Sequence, residues 1–493
     1  MLIKYSLKEK IYRYLPKSSL KLRLARGMFW ALTGSVVAQA LGMVSSIIVA
    51  RLLGKTGLGE FGMILSTIGV LSVFAGLGLG VTATKSVAEL RFQDKERAGK
   101  IIGICNLTSI ISGGIAAFLL YIVAPILAEK FLNAPHLVLG IRLGAVYLFF
   151  NAIYSVQIGI LSGLESFKTI AKITFAKGCA NLPVIIIFVY FFGVLGAISA
   201  MILVSFIGCI FSLRSSKIDC IKNNIVPSYV DVKRELPVLW KFSLPVFLGS
   251  VIMGPVVWAA NIMIVNQAGG YGALGLYNAA RQWDTFLNFL PSILGTVLIP
   301  VIISNLKKKN EKLEVVNALL GWLFVVLLAL PIIAFPEIIA LLYGKDYMIQ
   351  VYYKTLALVA FISCLIVYKS GLGRKIVVRN LMWWGFLNNS IWGVSLLISV
   401  YFLKTFGAIG LAMSYLIAYL VNTTIMIPLY IKKKVVPKYM LISKSIAVIW
   451  MVLIIQTVLT VMNTAIHIRI DALLVNLVII TIAYINIFKN YNR

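Results

Sequence analysis

Residues 29–50, FWALTGSVVAQALGMVSSIIVA, run for 22 positions without a charge. At about 1.5 Å per residue a helix of that length crosses the hydrocarbon core of a bilayer, about 30 Å thick, and no strand needs so long an uncharged run. The pattern recurs along the chain. Apolar runs near 28–50, 61–83, 101–128, 137–160, 173–192, 194–213, 242–265, 274–301, 315–341, 355–373, 381–403, 406–430, 441–462 and 470–488 predict fourteen transmembrane helices. In lipid each segment must satisfy its own backbone hydrogen bonds, so the fold class expected is an all-α polytopic membrane protein. A composition of 60% hydrophobic and 13% charged residues, with mean hydropathy +0.96, belongs to such a chain and not to a soluble core.

The formal net charge of +30 would suggest nucleic acid in a soluble protein, but its distribution gives another account. If the connections alternate sides from an inner start, roughly four-fifths of the 46 lysines and arginines fall on inner connections or inner span ends, as the positive-inside rule requires. Both termini are then cytoplasmic. The basic inner face can hold anionic membrane lipids, at about 1 kcal/mol per basic side chain near the surface, and no nucleic-acid partner is expected. The basic segment 1–27 leads into an apolar run too long for a signal-peptide core, so no cleaved leader is expected.

GLGEFG at 57–62 matches the dinucleotide fingerprint G-x-G-x-x-G. That motif needs a short strand before it and a helix after it, whereas here it lies between two membrane-length runs. It is expected to form a tight outer connection, its glycines letting the chain reverse. The five cysteines form no C-x-x-C pair, and His136 and His467 fall in short outer connections without a neighbouring acidic or cysteine cluster, so no disulfide, metal or cofactor is expected.

Two echoes at nearly one offset suggest internal duplication. GVLGAISAM (193–201) resembles GAIGLAMSY (407–415), and Gly34-Ser35 leading to LGEF (58–61) resembles Gly249-Ser250 leading to LGLY (274–277). Spans one to six would then match spans seven to twelve in the same orientation, around an axis along the membrane normal. The organisation expected is an N-terminal lobe at 1–213, a cytoplasmic linker at 214–241, a C-terminal lobe at 242–434, and two extra spans at 435–493. The lobe interface is where a substrate cavity belongs.

Polar side chains within spans mark that interface or helix contacts. Ser35, Gln39, Gly42 and Ser46 form one stripe in the first span. Ser250, Gly254, Trp258 and Asn261 form another in the seventh, with Pro245 and Pro255 expected to bend it. In the eighth, Tyr277, Arg281, Asp284, Asn288 and Ser292 share a face. An unpaired arginine at that depth costs roughly 2.5–3.5 kcal/mol, so Arg281 must meet water, a ligand or a partner, Asp284 one turn away being the simple structural option. Arg142, near the outer end of the fourth span, either reaches the cavity or snorkels. Arg51 and Glu60 could pair across the cavity mouth or remain a solvated surface pair. Ser66, Gly69, Gly76 and Gly80 in the second span read as a close helix contact.

ARLLGKTGLGEFG (50–62), TKSVAEL (84–90), LSGLESFK (161–168) and LGLYNAARQ (274–282), in this order over almost the full chain, resemble Wzx-type polysaccharide flippases of the multidrug/oligosaccharidyl-lipid/polysaccharide exporter superfamily. The resemblance implies a two-lobe transporter of the bacterial inner membrane. It would move an undecaprenyl-diphosphate-linked oligosaccharide outward by alternating access, for surface (O-antigen) polysaccharide synthesis. A polysaccharide polymerase and other export components would be its partners. It places substrate binding on Arg281 and Arg142, and gating or coupling on Arg51 and Glu60; the polar stripes add Tyr277, Asn288, Asn261 and Gln39 as cavity contacts and Asp284 as a coupling residue. Related multidrug exporters use acidic residues within their spans, and Asp284 is the one clear interior acid here. Export of cationic or amphipathic molecules and flipping of a lipid-linked peptidoglycan precursor are the alternatives. A membrane glycosyltransferase or polymer ligase would need a large outer loop with acid and base groups, which the short connections lack, so no enzyme is expected.

Overall fold

The computed structural model describes residues 19–230, 235–238, 247, 251–304, 311–378, 382–433, 435, 440 and 443–492. Among these residues there are helices and turns and no strand. Nine helical stretches are long and apolar enough to cross a membrane, and three of them, Gly34–Leu90, Phe167–Lys222 and Trp383–Lys432, each hold two spans. With Met253–Val265 in the seventh run and Gly270–Ser304 in the eighth, every apolar run carries helix in its described part. Gly249, Ser250 and Pro245 lie outside the described residues.

The hairpins turn on single glycines. Ser19–Gly76 contains the first span and most of the second, folded at Gly54 (φ 65°, ψ −179°); Phe167–Lys222 contains the fifth and sixth, folded at Gly193 (φ 55°, ψ −130°). These conformations are closed to side chains with a Cβ, and a one-residue reversal leaves few backbone groups without a partner. The connection at 50–62 thus differs from the loop expected: Gly54 reverses the chain, and GLGEFG is already helical.

The sequence echoes reappear in backbone geometry. Gly407, between the eleventh and twelfth spans, has φ 59° and ψ −128°, close to Gly193, and Gly269 before the eighth has φ 68°, close to Gly54. Three residues beyond each hairpin glycine, Gly196 and Gly410 bring two helices into backbone contact: an added Cβ would lie 1.8 Å from the Phe188 carbonyl oxygen and 2.0 Å from that of Leu403. Exposed aromatics gather at these hairpin corners, Tyr190, Phe191 and Phe192 at one and Tyr401, Phe402 and Phe406 at the other, as at a membrane–water interface.

Two glycines of GLGEFG, Gly59 and Gly62, bring the second span against the eighth. A Cβ on Gly59 would lie 1.8 Å from the Tyr271 carbonyl oxygen, and one on Gly275 would lie 1.7 Å from that of Lys55, so the starts of the second and eighth spans cross reciprocally. Gly62 likewise admits Asn278, whose Nδ2 would be 1.9 Å from a Cβ. Around this crossing, Tyr271 Oη donates to the Leu132 carbonyl (2.9 Å), Asn266 Nδ2 to that of Phe131 (3.0 Å), and Arg51 Nη2 to that of Leu341 (2.8 Å). The ends expected to face outward are therefore closed against each other.

Further along the spans the chain opens. A Cβ on Gly42, Gly69 or Gly76 would meet nothing within 4 Å. The stripe Ser66, Gly69, Gly76, Gly80 is accordingly not the continuous helix contact expected of it. Gly80 sits under the fourth span, where an added Cβ would lie 3.0 Å from the Ser155 carbonyl oxygen, Gly254 of the seventh span lies against the Gly69 backbone, and the helix breaks after Gly76.

At the end of the spans expected to face inward, helix continues to Lys222, past the start expected for the linker. The chain then lies along the first turns of the third span, Lys95–Ile126, where bare Gly99 and Gly103 admit the carbonyls of Val226 and Ser228, and Ser228 N–H donates to the Gly99 carbonyl at 3.1 Å. The thirteenth span, Lys444–Val461, docks through Trp450, whose ring lies 5.3 Å from Trp322 and 5.4 Å from Tyr368.

Gly59→Leu should lower the thermal midpoint of the detergent-purified protein, since overpacking at a backbone crossing costs about 1–3 kcal/mol. Gly69→Leu, facing open space, should leave it unchanged or raise it slightly through helix propensity. Equal midpoints for the two variants would contradict this reading of the crossing.

Candidate functional site

The eighth span carries charge into an apolar bundle because one helical stripe holds five polar positions, and the structure divides them. Tyr277 is buried and stacks on Tyr415 of the twelfth span, ring centroids 5.4 Å apart and 26° between planes. Asp284 and Asn288 turn to the tenth span: the Asp284 carboxylate accepts from Asn288 Nδ2 at 2.6 Å and from Ser363 Oγ at 2.7 Å. Arg281 and Ser292 stay exposed.

Arg281 lies about 16 Å along the helix from its start at Gly270. Its guanidinium stands 6.0 Å from the Tyr415 ring centroid. Tyr277, Tyr415, Tyr419 and Asp284 are its electrostatic neighbours, yet solvent reaches it. An exposed arginine set beside buried aromatics is what the wall of a substrate cavity requires. Among the described residues Arg281 forms no ion pair and no side-chain hydrogen bond, so the simple pairing with Asp284 is not made. A guanidinium with free donors in a fixed fork beside aromatic faces is suited to a phosphate or diphosphate.

The other candidates separate. Gln39 is half-buried in the first span, beside exposed Ser35 and Gly42 on the open side. Asn261 is buried on a seventh-span face that packs on the second span, where Trp258 Nε1 donates to Thr67 Oγ1 at 3.0 Å. Arg142 shares its face with exposed Leu139 and Val146, and its guanidinium covers the Tyr121 ring of the third span at 4.8 Å. Arg142 is thus held beside a third-span ring, and its buried Nε has no partner among the described residues.

Arg51 and Glu60 do not meet. Arg51 holds the Leu341 carbonyl and lines a cavity of about 290 Å³ with Gly54, Tyr343, Gly344, Lys345, Asp346 and Tyr347. Glu60 takes His136 Nε2 at 3.1 Å. The reason is geometric: with the reversal at Gly54, Glu60 lies nearly two turns inside the second helix while Arg51 ends the first.

Several charged groups were not evident from spacing. Arg91, buried, pairs with Glu165 of LSGLESFK and so ties together the connections after the second and fourth spans. Arg97 reaches Glu235, within the segment expected as linker, at 3.0 Å, and Arg469 of the fourteenth span takes Glu337 at 2.6 Å. Two lysines sit within spans: Lys177 Nζ lies 3.7 Å from the Tyr154 ring centroid, and Lys369 Nζ donates to Asn422 Oδ1. Positional repetition offered a signal here, since Asn422 follows Gly208, which packs on Lys177, by the same 214 positions that separate Gly193 and Gly407.

Comparison with known proteins bears on this geometry. Residues 24–306 match the family model described as polysaccharide biosynthesis protein, more than half of the chain. The chain belongs to that family. Within the polysaccharide biosynthesis family's wider kin, Stage V sporulation protein B of Bacillus subtilis (strain 168) is 24% identical over 315 residues, 59% of this chain and 60% of the relative. The chain therefore spans about three-fifths of the length of the curated relative it matches. Two solved structures share the fold: the Lipid II flippase MurJ in an inward closed conformation (TM-score 0.73, 14% identity, 94% of this chain and 99% of that one), and an inward-facing multidrug resistance MATE family transporter of the MOP superfamily (TM-score 0.63, 19% identity, 83% and 98%). A MOP superfamily transporter from Pyrococcus furiosus shares it as well, with TM-score 0.55, 19% identity and coverage of 84% and 95%. The resemblance drawn from the four motifs holds for this member of the polysaccharide biosynthesis family.

Arg91→Ala strips Glu165 of a buried partner and should cost on the order of 2 kcal/mol, seen as a lower thermal midpoint. Arg97→Ala removes a half-exposed partner and should cost less than about 1 kcal/mol. The reverse order would contradict the assignment of Arg91 as the anchor of these connections.

Proposed function

We propose that this protein flips an undecaprenyl-diphosphate-linked oligosaccharide from the inner to the outer leaflet of the bacterial inner membrane, for surface polysaccharide synthesis. The observation that carries the reading is Arg281: a solvent-reached guanidinium within a span, beside stacked Tyr277 and Tyr415, with no counter-ion among the described residues. The diphosphate would bind there. The oligosaccharide would occupy the space beside Gly42, Gly69 and Gly76, and the polyprenyl tail would remain in lipid.

Alternating access would operate by rocking an N-terminal lobe (1–213) against a C-terminal one (242–434), with spans 435–493 attached to the latter and both termini cytoplasmic. The crossing at Gly59 and Gly275 would serve as the outer seal, with Arg51 and Glu60 beside it as gate residues. Neighbouring export components, a polymerase among them, would take the product. With the interior negative, a ligand of about two negative charges gains roughly 4–5 kcal/mol per 100 mV on moving outward. The membrane potential can thus drive the step.

A lipid-linked peptidoglycan precursor presents the same diphosphate, and the flippase whose structure shares this fold is described as acting on Lipid II. The family description favours a polysaccharide precursor. A cationic drug fits less well, because the exposed charge is Arg281 and the nearby acid is engaged by Asn288 and Ser363.

Arg281→Ala should abolish surface glycan while the protein inserts at normal levels. Arg281→Lys should be partly active, keeping a point charge but losing the bidentate fork. Normal export by a stably inserted Arg281→Ala protein would refute the proposal. Mass spectrometry of co-purified lipid would then separate the headgroups.

A further inference from the structure

A guanidinium that binds a diphosphate in a poorly hydrated cavity meets a release problem. Attraction between opposite charges strengthens as water is excluded, so a ligand held tightly enough to load from the inner leaflet would leave slowly outside. Transport needs something to take its place on Arg281.

Asp284 is built for that exchange. It lies three residues after Arg281, and residues at that spacing on a helix have Cβ atoms about 5–6 Å apart, within reach of an ion pair. In this structure the pair is not made. Asn288 Nδ2 and Ser363 Oγ hold the carboxylate, and Ser363 belongs to a different span, Gln350–Val378. Both restraints are neutral donors that one change of side-chain rotamer would release. Ser363 Oγ also lies 2.9 Å from the Val359 carbonyl oxygen, where it can donate once the carboxylate leaves. Among the described residues no carboxylate forms an ion pair with Arg281, and Asp284 is the acidic residue nearest to it along the helix.

We infer that Asp284 is a tethered competitor for Arg281. Held by Ser363 and Asn288 it leaves the guanidinium free to take the substrate's diphosphate, and swung one turn back it displaces the diphosphate and neutralises the empty site. This rests on the proposal that Arg281 binds a diphosphate. Asp284 is then a positioning residue, controlling when Arg281 is available. The arrangement also removes the cost of a bare guanidinium in the unloaded transporter during its return. The shift of the tenth span relative to the eighth would set the timing, since Ser363 holds the carboxylate only while those helices keep this register.

The test measures binding of undecaprenyl diphosphate to purified protein in nanodiscs and turnover in proteoliposomes, for wild type, Asp284→Asn, Ser363→Ala and Arg281→Ala. Asp284→Asn keeps size and hydrogen bonding but cannot compete. It should bind at least about tenfold more tightly and turn over more slowly, because a like charge beside the ligand's has been removed. Ser363→Ala frees the carboxylate and should bind several-fold more weakly. A residue that merely shaped the helix would lower affinity and turnover together in Asp284→Asn, and that result, or unchanged affinity, would overturn the inference while leaving Arg281 in place. Unchanged binding by Arg281→Ala would overturn the diphosphate reading and this inference with it.

Discussion

In hydrocarbon an unsatisfied backbone amide or carbonyl costs several kcal/mol, and this constraint underlies most of what the chain does. It forces helix through every apolar run and makes each reversal in lipid expensive. The hairpins answer by turning on one glycine, Gly54 or Gly193, in a conformation that leaves the flanking helices almost uninterrupted. It also favours backbone-to-backbone packing, since lipid gives apolar side chains no reason to prefer one another over acyl chains. Gly59 and Gly275 supply that contact where the second and eighth spans cross, and Gly196 and Gly410 supply it at the hairpin corners. The same residue type thus does two jobs, distinguished by φ: positive at the turns, helical at the crossings.

This distinction explains which parts of the sequence were readable. The fourteen runs were legible because length and absence of charge report directly on the solvent around a segment. The echo of GVLGAISAM in GAIGLAMSY was legible too, for Gly193 and Gly407 share a backbone conformation that other residues avoid. What GLGEFG does was not. A glycine in a one-residue turn and a glycine under a crossing helix look alike in sequence, and only the partner, Tyr271 or Asn278, tells them apart. The stripe from Ser66 to Gly80 misled for the mirror-image reason: small residues line an open space as readily as a contact.

At the candidate site, spacing identified a helical face more than a constellation. Helical spacing put Tyr277, Arg281, Asp284 and Asn288 on one face, and the structure keeps them adjacent while sending them to different neighbours, Tyr415 for the first and Ser363 for the acid. A stripe about 100° wide can touch two helices and a cavity at once, so periodicity identifies the face but not the destination of each side chain. Arg142 and Arg51 show the limit of reasoning from charge alone. Both are arginines near outer span ends, but one rests on Tyr121 and the other holds the Leu341 carbonyl.

The buried arginines make Arg281 stand apart on energetic grounds. Arg91 has Glu165, and Arg469 has Glu337 together with the Ala334 carbonyl at 3.1 Å. Each sits where two connections or two helices must be held together, and each is closed off from solvent. Arg374 is held by Asn317, through its side-chain and main-chain oxygens, both at 2.7 Å. A guanidinium placed for stability is therefore supplied with oxygen acceptors, even where Nε of Arg91 and of Arg469 keeps no partner among the described residues. Arg281 has an acid one turn away and is denied it by two neutral hydrogen bonds to that acid. Packing alone gives no reason to spend Asn288 and Ser363 on keeping a carboxylate from its natural partner, and an open anion site does.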